Sequence, residues 1–229
     1  MKTWLNAVLA AGASLVAGSA GAQSFNIDLD GFFGPRSLGT GVPQPSFGGA
    51  AGQPGYWNAI YALEHRRLPL RSVSGEWTIA TYQAYGGIGS GGGWRNPRLD
   101  FGIVNDDFWL LMGDAAEIGA PIGRGALYEP ALIVYTFEGL EPGLYDVYTY
   151  AVSPSVSRHS VPVAVTVPGA ATENPQISTG PMPLDWKFRR GVTHTLHRVQ
   201  VDGGLLEVRV SAPDWPPAFI NGFQIVKVK

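Results

Sequence analysis

HRVQVDGGLLEVRV, residues 197–210, is the stretch that decides the fold class of this chain. Apolar and polar residues alternate on both sides of Gly203-Gly204, as they do in strands with one buried face. A two-residue glycine loop between alternating segments predicts a β-hairpin. Its register places the apolar side chains on one face and two arginines opposite each other on the other face. The predicted pairs are Val199 with Val208, Val201 with Leu206, and Arg198 with Arg209.

The rest of the chain shows a similar β-favouring pattern. Apolar runs rich in Val, Tyr, Phe and Trp are separated by glycine and proline, which favours an all-β sandwich. Asn105 or Asp106 is expected to cap one short helix that ends near Gly119, and Asn221-Gly222 predicts a bend. We therefore expect an all-β fold, an antiparallel jelly-roll-like β-sandwich with one short helix. The predicted strands cover residues 24–29, 56–63, 77–85, 131–137, 144–152, 161–167 and 219–228.

Residues 1–22 have the pattern of a cleavable signal peptide. Lys2 is followed by an apolar run over residues 7–17 and by the small residues Ala20-Gly21-Ala22. This order of charge, apolar segment and cleavage signal is typical of export. We expect residues 23–229 to form a single β-sandwich domain in the periplasm or outside the cell. No second apolar stretch predicts a membrane anchor.

The composition excludes several classes of function. The net charge is −2 and the chain has no basic run, which argues against a nucleic-acid partner. Cysteine is absent, so thiolate catalysis, cysteine-ligated zinc and disulfides are excluded. The sequence does not determine the oligomeric state.

Three short segments carry a resemblance to a known class of domain. GLEPGLYDVY at residues 139–148, AAGQPGYWN at residues 50–58 and INGFQI at residues 220–225 mark turns and strands. Together with Asn26-Ile27-Asp28 they resemble bacterial exported jelly-roll domains of the galactose-binding-like and malectin-like class. The resemblance implies a β-sandwich, and many members of that class bind carbohydrate, some with structural calcium.

Tryptophans in loops are the candidate ligand-binding residues. Trp57, Trp94 and Trp215 stand beside Gly, Pro or Asn, where an aromatic face can stack on a sugar ring. Trp94-Arg95-Asn96 is the strongest candidate because it adds hydrogen-bond donors to the aromatic ring. The other tryptophans that follow the signal peptide, Trp77, Trp109 and Trp186, are assigned to the core.

Two polar patterns invite a metal site. His194 and His197 are three residues apart on a predicted strand, so their side chains point to opposite faces and cannot chelate one ion together. Asn26-x-Asp28-x-Asp30-Gly31 resembles the first half of a calcium loop, but Ser37 stands where the bidentate glutamate is needed. These residues are better explained as a strand and its exit. A structural calcium ion bound through Asp28 or Asp30 is the alternative, and no other cofactor is predicted.

No catalytic motif is evident. The chain lacks G-x-S-x-G. Carboxylate pairs for glycoside hydrolysis must lie about 5–9.5 Å apart, which sequence spacing cannot show. The candidate acids are Asp100, Asp106, Asp107, Asp114, Glu117 and Glu129.

These observations support three hypotheses about function. The favoured one is an exported, non-enzymatic module that binds glycan or another surface polymer through loops at one end of the sandwich. The second is a structural or adhesive envelope protein that acts through protein contacts. The third is a polysaccharide hydrolase or lyase, so the sequence favours a binding role but leaves enzymatic activity open.

Overall fold

The computed structural model is a β-sandwich-like all-β fold with one short helix. It describes residues 23–30, 41–61, 64–86, 106–113, 115–118, 132–153, 162–212 and 218–228, so the predicted signal peptide lies outside the described residues. The elements are β1 (Phe25–Asp30), β2 (Trp57–Tyr61), β3 (Leu68–Arg71), β4 (Trp77–Gly86), α1 (Asp106–Met112), β5 (Ala116–Ile118), β6 (Leu132–Glu138), β7 (Gly143–Tyr150), β8 (Val163–Thr166), β9 (Gln176–Ser178), β10 (His194–Val201), β11 (Leu205–Ser211), β12 (Ala218–Ile220) and β13 (Gly222–Lys227).

Two large sheets form the sandwich. The five-stranded sheet has the order β10-β7-β13-β1-β2, and the six-stranded sheet has the order β3-β4-β6-β11-β8-β9. A small third sheet pairs β12 with β5. Strand pairing within the described ranges is antiparallel except between β1 and β2, so the predicted antiparallel character is confirmed for most pairs and corrected for this parallel one.

The predicted hairpin at Gly203-Gly204 is wrong. β10 pairs with β7 in the five-stranded sheet, whereas β11 pairs with β6 and β8 in the six-stranded sheet. Val199 therefore lies beside Tyr145, and Val208 lies beside Tyr135. Alternation specifies which face of a strand is buried, but it does not specify the neighbouring strand. The buried face was predicted correctly: Val199, Val201, Leu206, Val208 and Val210 all lie in the interior.

Two chain crossings between the sheets stack on each other. The first follows β6 through residues 139–142, and the second follows β10 through residues 202–204. The backbone N–H of Leu140 donates to the carbonyl oxygen of Gly204 at 3.0 Å, which joins the crossings. Between the sheets, Phe223 packs edge-on against Tyr135 with ring centroids 4.9 Å apart. Aromatic side chains bury large areas, so they dominate the hydrophobic stabilisation of this interior.

A second apolar cluster covers the side of the five-stranded sheet that faces away from the sandwich interior. Phe108, Leu111 and Met112 of α1 pack there with Trp57 and Tyr150. The predicted helix is too long, because α1 ends at Met112 and residues 116–118 form β5 instead. Gly113 follows α1, as is common at a helix end. The predicted bend is confirmed, since Asn221 separates β12 from β13.

A buried polar network fixes the loop of residues 48–53 on this sheet. The hydroxyl of Tyr150 donates to Oε1 of Gln224 at 2.5 Å and accepts from the N–H of Ala50 at 2.7 Å. Nε2 of Gln224 donates to Oδ1 of Asn26 at 2.8 Å and to the carbonyl oxygen of Gly48 at 3.0 Å. These bonds satisfy polar groups that would otherwise be costly to bury.

Candidate ligand-binding surface

An arginine lies between two exposed aromatic rings at the edge of the six-stranded sheet. β3 ends at Arg71, β4 begins at Trp77, and the two residues are register partners. The guanidinium carbon of Arg71 is 4.3 Å from the ring centroid of Trp77 and 5.2 Å from that of Tyr56. Both distances are in the range of cation–π attraction. We call Tyr56, Arg71 and Trp77 the aromatic–arginine cluster.

The backbone beneath the cluster is held from both sheets. Nδ2 of Asn58 donates to the carbonyl oxygen of Arg71 at 2.8 Å, and the N–H of Arg71 donates to Oδ1 of Asn58 at 2.9 Å. The N–H of Tyr56 donates to the carbonyl oxygen of Val73 at 2.8 Å. Gly55, at φ 140°, allows this close approach, because a Cβ there would collide with the same oxygen. The cluster is therefore fixed in place by its backbone.

The aromatic rings of the cluster are accessible to a ligand. Trp77 is 62% exposed and Tyr56 is 36% exposed. Trp77 is the most exposed aromatic side chain in the described part of the chain. Exposed apolar groups gathered in one place mark interaction sites, whereas single ones are ordinary. The cluster therefore qualifies as a candidate binding site.

Arg71 also differs from the other arginines that the structure describes. Its guanidinium makes no hydrogen bond to the described protein, and its Nε is buried without an acceptor. Every other arginine of the described ranges donates to a side-chain oxygen: Arg66 to Glu64, Arg67 to Glu138, Arg189 to Asp185, Arg190 to Gln176, Arg198 to Asp146 and Arg209 to Glu207.

The cluster lies at one end of the solvent-facing side of the six-stranded sheet, which we call the outer face. Along β4 the outward residues are Trp77, Ile79, Thr81, Gln83 and Tyr85. Trp77 and Tyr85 are eight residues apart, which is about 26 Å at a rise of about 3.3 Å per residue. β6, which lies beside β4, and the next strands across the sheet, β11 and β8, add polar and charged residues to this face, namely Thr136, Glu138, Glu207, Arg209 and Thr166.

The exposure of two tryptophans is the reverse of what the sequence predicts. Trp57 is the first residue of β2 rather than a loop residue, and it is 2% exposed. Its indole N–H donates to the carbonyl oxygen of Phe47 at 3.3 Å, so its ring is packed and has no face free for a sugar. Trp77, which the sequence assigned to the core, is exposed. Trp109 is buried as predicted, and Trp186 is half-buried; both belong to the apolar cluster that α1 forms on the five-stranded sheet.

The other predicted ligand-binding residues cannot be placed. Trp94, Arg95, Asn96 and Trp215 lie outside the described residues. Their ligand-binding role therefore stays a prediction.

His194 and His197 lie on opposite sides of the five-stranded sheet, as predicted. His197 is fully buried, and His194 packs among Tyr148, Tyr150 and Phe188. Burial, followed by the nearby charge of Arg190, lowers the pKa of each imidazole to about 4. Both rings are therefore neutral packing groups at pH 7.

The predicted opposition of Arg198 and Arg209 is wrong, because Arg198 lies beside Asp146 and forms an ion pair with it.

The structure describes only some of the carboxylates that the sequence offers for calcium binding or catalysis. Asp28 is fully buried in the middle of β1, and Asp30 is the last residue of that strand. Among the residues described, no three His, Asp or Glu side chains form a group that could hold a metal ion. Oδ1 of Asp107 accepts from the N–H of Gln44 at 2.7 Å. Asp100, Asp114 and Glu129 lie outside the described residues, and calcium binding through Asp28 or Asp30 stays a prediction.

Comparison with known proteins gives little guidance. No protein-family model matches the chain, and no curated protein matches it. Among solved structures, the chain is similar to Arthrobacter globiformis T6 isomalto-dextranase complexed with panose, with a TM-score of 0.29 and 15% sequence identity. That match covers 49% of this chain and 18% of the other, and a similarity this limited defines neither fold nor function. Within the described residues, no helix is long and apolar enough to cross a membrane.

Proposed function

We propose that this chain is an exported, non-enzymatic module that binds carbohydrate through the outer face of its six-stranded sheet. The observation that carries the proposal is the exposure of Trp77 beside Tyr56 and Arg71. Pyranose rings present apolar C–H faces that stack on aromatic rings, and their hydroxyls need donors and acceptors. The outer face offers both kinds of group on one rigid surface.

The shape of the outer face favours an extended polymer over a free monosaccharide. Aromatic side chains stand at both ends of the outward row of β4, and Thr81 and Gln83 lie between them. A ligand about 26 Å long would contact Trp77 and Tyr85 together, given the rise of a β-strand. Several weak contacts along one polymer add up to a useful affinity.

We propose the galactose-binding-like or malectin-like jelly-roll class as the finer description of the fold.

Binding can be tested by affinity electrophoresis through gels that contain single soluble polysaccharides. We expect at least one polymer to retard the wild-type chain, and Trp77→Ala to weaken retention about tenfold, which corresponds to about 1.4 kcal/mol. The matched control is Tyr61→Ala, which removes an exposed aromatic ring at the far end of β2. Failure of every polymer to retard the wild-type chain would overturn the proposal.

Two further outcomes separate the other hypotheses. Release of new reducing ends from a retained polymer would show a hydrolase, and unsaturated products would show a lyase. Ile79, which is highly exposed on the outer face, also suits a protein contact. A protein captured by crosslinking without added sugar, and lost in Ile79→Ser but not in Trp77→Ala, would show an adhesive function.

A further inference from the structure

We propose that the bound polymer is anionic, and that Arg71 binds its acidic groups. This inference rests on the proposed function, because it assigns the ligand class of the same surface. The acidic group is a carboxylate, as in a uronic acid, or a sulfate ester. Both present several oxygen acceptors to a guanidinium and share the same recognition chemistry.

The first argument is the unused hydrogen-bonding capacity of Arg71. A guanidinium has five N–H donors, and in Arg71 none of them donates to the described protein. The six other arginines of the described ranges all donate to side-chain oxygens. Nε of Arg71 is buried, so the terminal Nη groups are the donors left for a ligand.

The second argument is geometric. The rings of Trp77 and Tyr56 lie 4.3 and 5.2 Å from the guanidinium carbon and restrict its position. The two hydrogen bonds with Asn58 hold the backbone of Arg71. A preorganised arginine loses little side-chain entropy when it binds, and its planar fork matches two oxygens of one anion.

The third argument is the local charge balance. The carboxylates of Glu138 and Glu207 on the outer face are already paired with Arg67 and Arg209. Glu76, in the turn between β3 and β4, is exposed and forms no ion pair with Arg71. Arg71 therefore has no ion-pair partner among the described residues, and it stands beside an aromatic ring on which a sugar can stack. A sugar stacked on Trp77 would bring its substituents close to that charge.

The test uses polymers that differ only in charge. Polygalacturonate is compared with the same polymer after reduction of its carboxyl groups, and dextran sulfate is compared with dextran. We expect the wild-type chain to bind one acidic polymer about tenfold more tightly than its neutral form, because a hydrogen bond to a charged acceptor is stronger than one to a neutral acceptor. Preference for polygalacturonate indicates a carboxylate ligand, and preference for dextran sulfate indicates a sulfate ester.

Variants assign the preference to Arg71. Arg71→Gln should remove the preference for the acidic polymer, whereas Trp77→Ala should weaken the binding of the acidic and the neutral polymer alike. Arg66→Gln removes an exposed arginine that pairs with Glu64, so it should leave the preference intact. Arg71→Lys keeps the charge but loses the planar fork, and we expect it to retain only part of the preference.

Each failure has a distinct meaning. Equal binding of acidic and neutral polymers by the wild type would overturn this inference and leave the proposed function standing. The inference also fails if Arg71→Gln keeps the acidic preference. If Arg71→Gln does not fold, the salt dependence of the wild type decides, because binding to an acidic group must weaken as salt increases and neutral binding must not. Retention of no polymer at all would overturn the proposed function itself.

Discussion

Asn58 and Arg71 exchange two hydrogen bonds across the open side of the sandwich. Asn58 belongs to the edge strand of the five-stranded sheet, and Arg71 to the edge strand of the six-stranded sheet. Nδ2 of Asn58 also donates to the carbonyl oxygen of Asn26 at 3.0 Å, so one amide links three strands. Edge strands have unpaired backbone groups, and this side chain satisfies some of them.

The first prediction is that Asn58→Ala lowers the free energy of unfolding by about 2–3 kcal/mol. The substitution leaves the buried carbonyl oxygen of Asn26 without this partner, which costs about 1–3 kcal/mol, and the partly buried N–H and carbonyl groups of Arg71 add less because water can reach them. Urea denaturation followed by circular dichroism measures the change. Gln200→Ala is the control, because the exposed amide of Gln200 donates only to Asp202 at the surface. A loss below about 0.5 kcal/mol in Asn58→Ala, the usual range for surface changes, would contradict the assigned role.

Asn58→Ala should also weaken polymer binding, although its side chain does not belong to the outer face. The backbone of Arg71 loses both of its contacts with Asn58, so the guanidinium is less well positioned against Trp77. We expect the acidic preference of the folded variant to fall several-fold. Affinity electrophoresis at a temperature where the variant is fully folded measures this effect. An unchanged preference would show that the aromatic rings alone position Arg71.

Much of the fold follows from alternation, but the pairing of strands does not. The residues from Val199 to Val210 alternate clearly, and their buried face was predicted correctly. Their partner strands were predicted wrongly, because Gly203-Gly204 can close a hairpin or carry the chain from one sheet to the other. The hydrophobic pattern is satisfied in both cases. Only long-range contacts, such as that of Leu140 with Gly204, distinguish them.

The exposure of Trp77 could not be predicted from the sequence for a related reason. β4 carries aromatic residues on both faces, with Tyr82 inside and Trp77 and Tyr85 outside. The hydropathy pattern therefore does not indicate which face of β4 is buried. Ala80 and Ala84 face the interior with Tyr82, so the smaller side chains occupy the buried face. Trp57 follows Pro54 and Gly55 and was assigned to a loop, yet packing against Phe47 buries it.

The second prediction concerns two glycines in the loop before β2. Gly52→Ala should cost about 1–2 kcal/mol, because φ is 63° and a Cβ there has no neighbour within 4 Å. Gly55→Ala should cost more, because its Cβ would collide with the carbonyl oxygen of Val73 and would displace the backbone that carries Tyr56. Thermal unfolding compares the two variants. Equal losses would show that the contact with Val73 has no structural importance.

The third prediction is that Tyr150→Phe destabilises the loop of residues 48–53. The change removes one oxygen and leaves the N–H of Ala50 without its acceptor, which costs about 1–3 kcal/mol. Burial also raises the pKa of the Tyr150 phenol, so this hydroxyl remains a donor to Gln224 in alkaline solution. Tyr85→Phe, at an exposed position on β4, is the control. Amide hydrogen exchange should accelerate at residues 48–53 in Tyr150→Phe, and unchanged protection there would contradict the prediction.

The fourth prediction is a loss of stability in mild acid caused by His194 and His197. The pKa of each is about 4 in the folded chain and about 6.5 when unfolded. Below pH 6.5 the unfolded chain therefore binds more protons than the folded chain. The stabilising contribution of the neutral rings is complete above pH 6.5 and is lost as the pH falls through about 4. Each histidine accounts for about 3 kcal/mol over this interval, at about 1.36 kcal/mol for each unit of pKa difference.

Urea denaturation at several pH values between 7 and 4 measures this loss. His197→Leu removes the buried ring inside the sandwich, and His194→Phe replaces the ring that packs against Tyr150 and Phe188. Each variant should lose about half of the histidine-dependent slope of unfolding free energy against pH, because the two sites lie on opposite sides of β10 and titrate separately. His65→Gln, at an exposed residue, is the control for a general effect of removing a histidine. If His197→Leu and His194→Phe both keep the wild-type slope of unfolding free energy against pH, then other groups, such as the paired carboxylates, control the acid sensitivity.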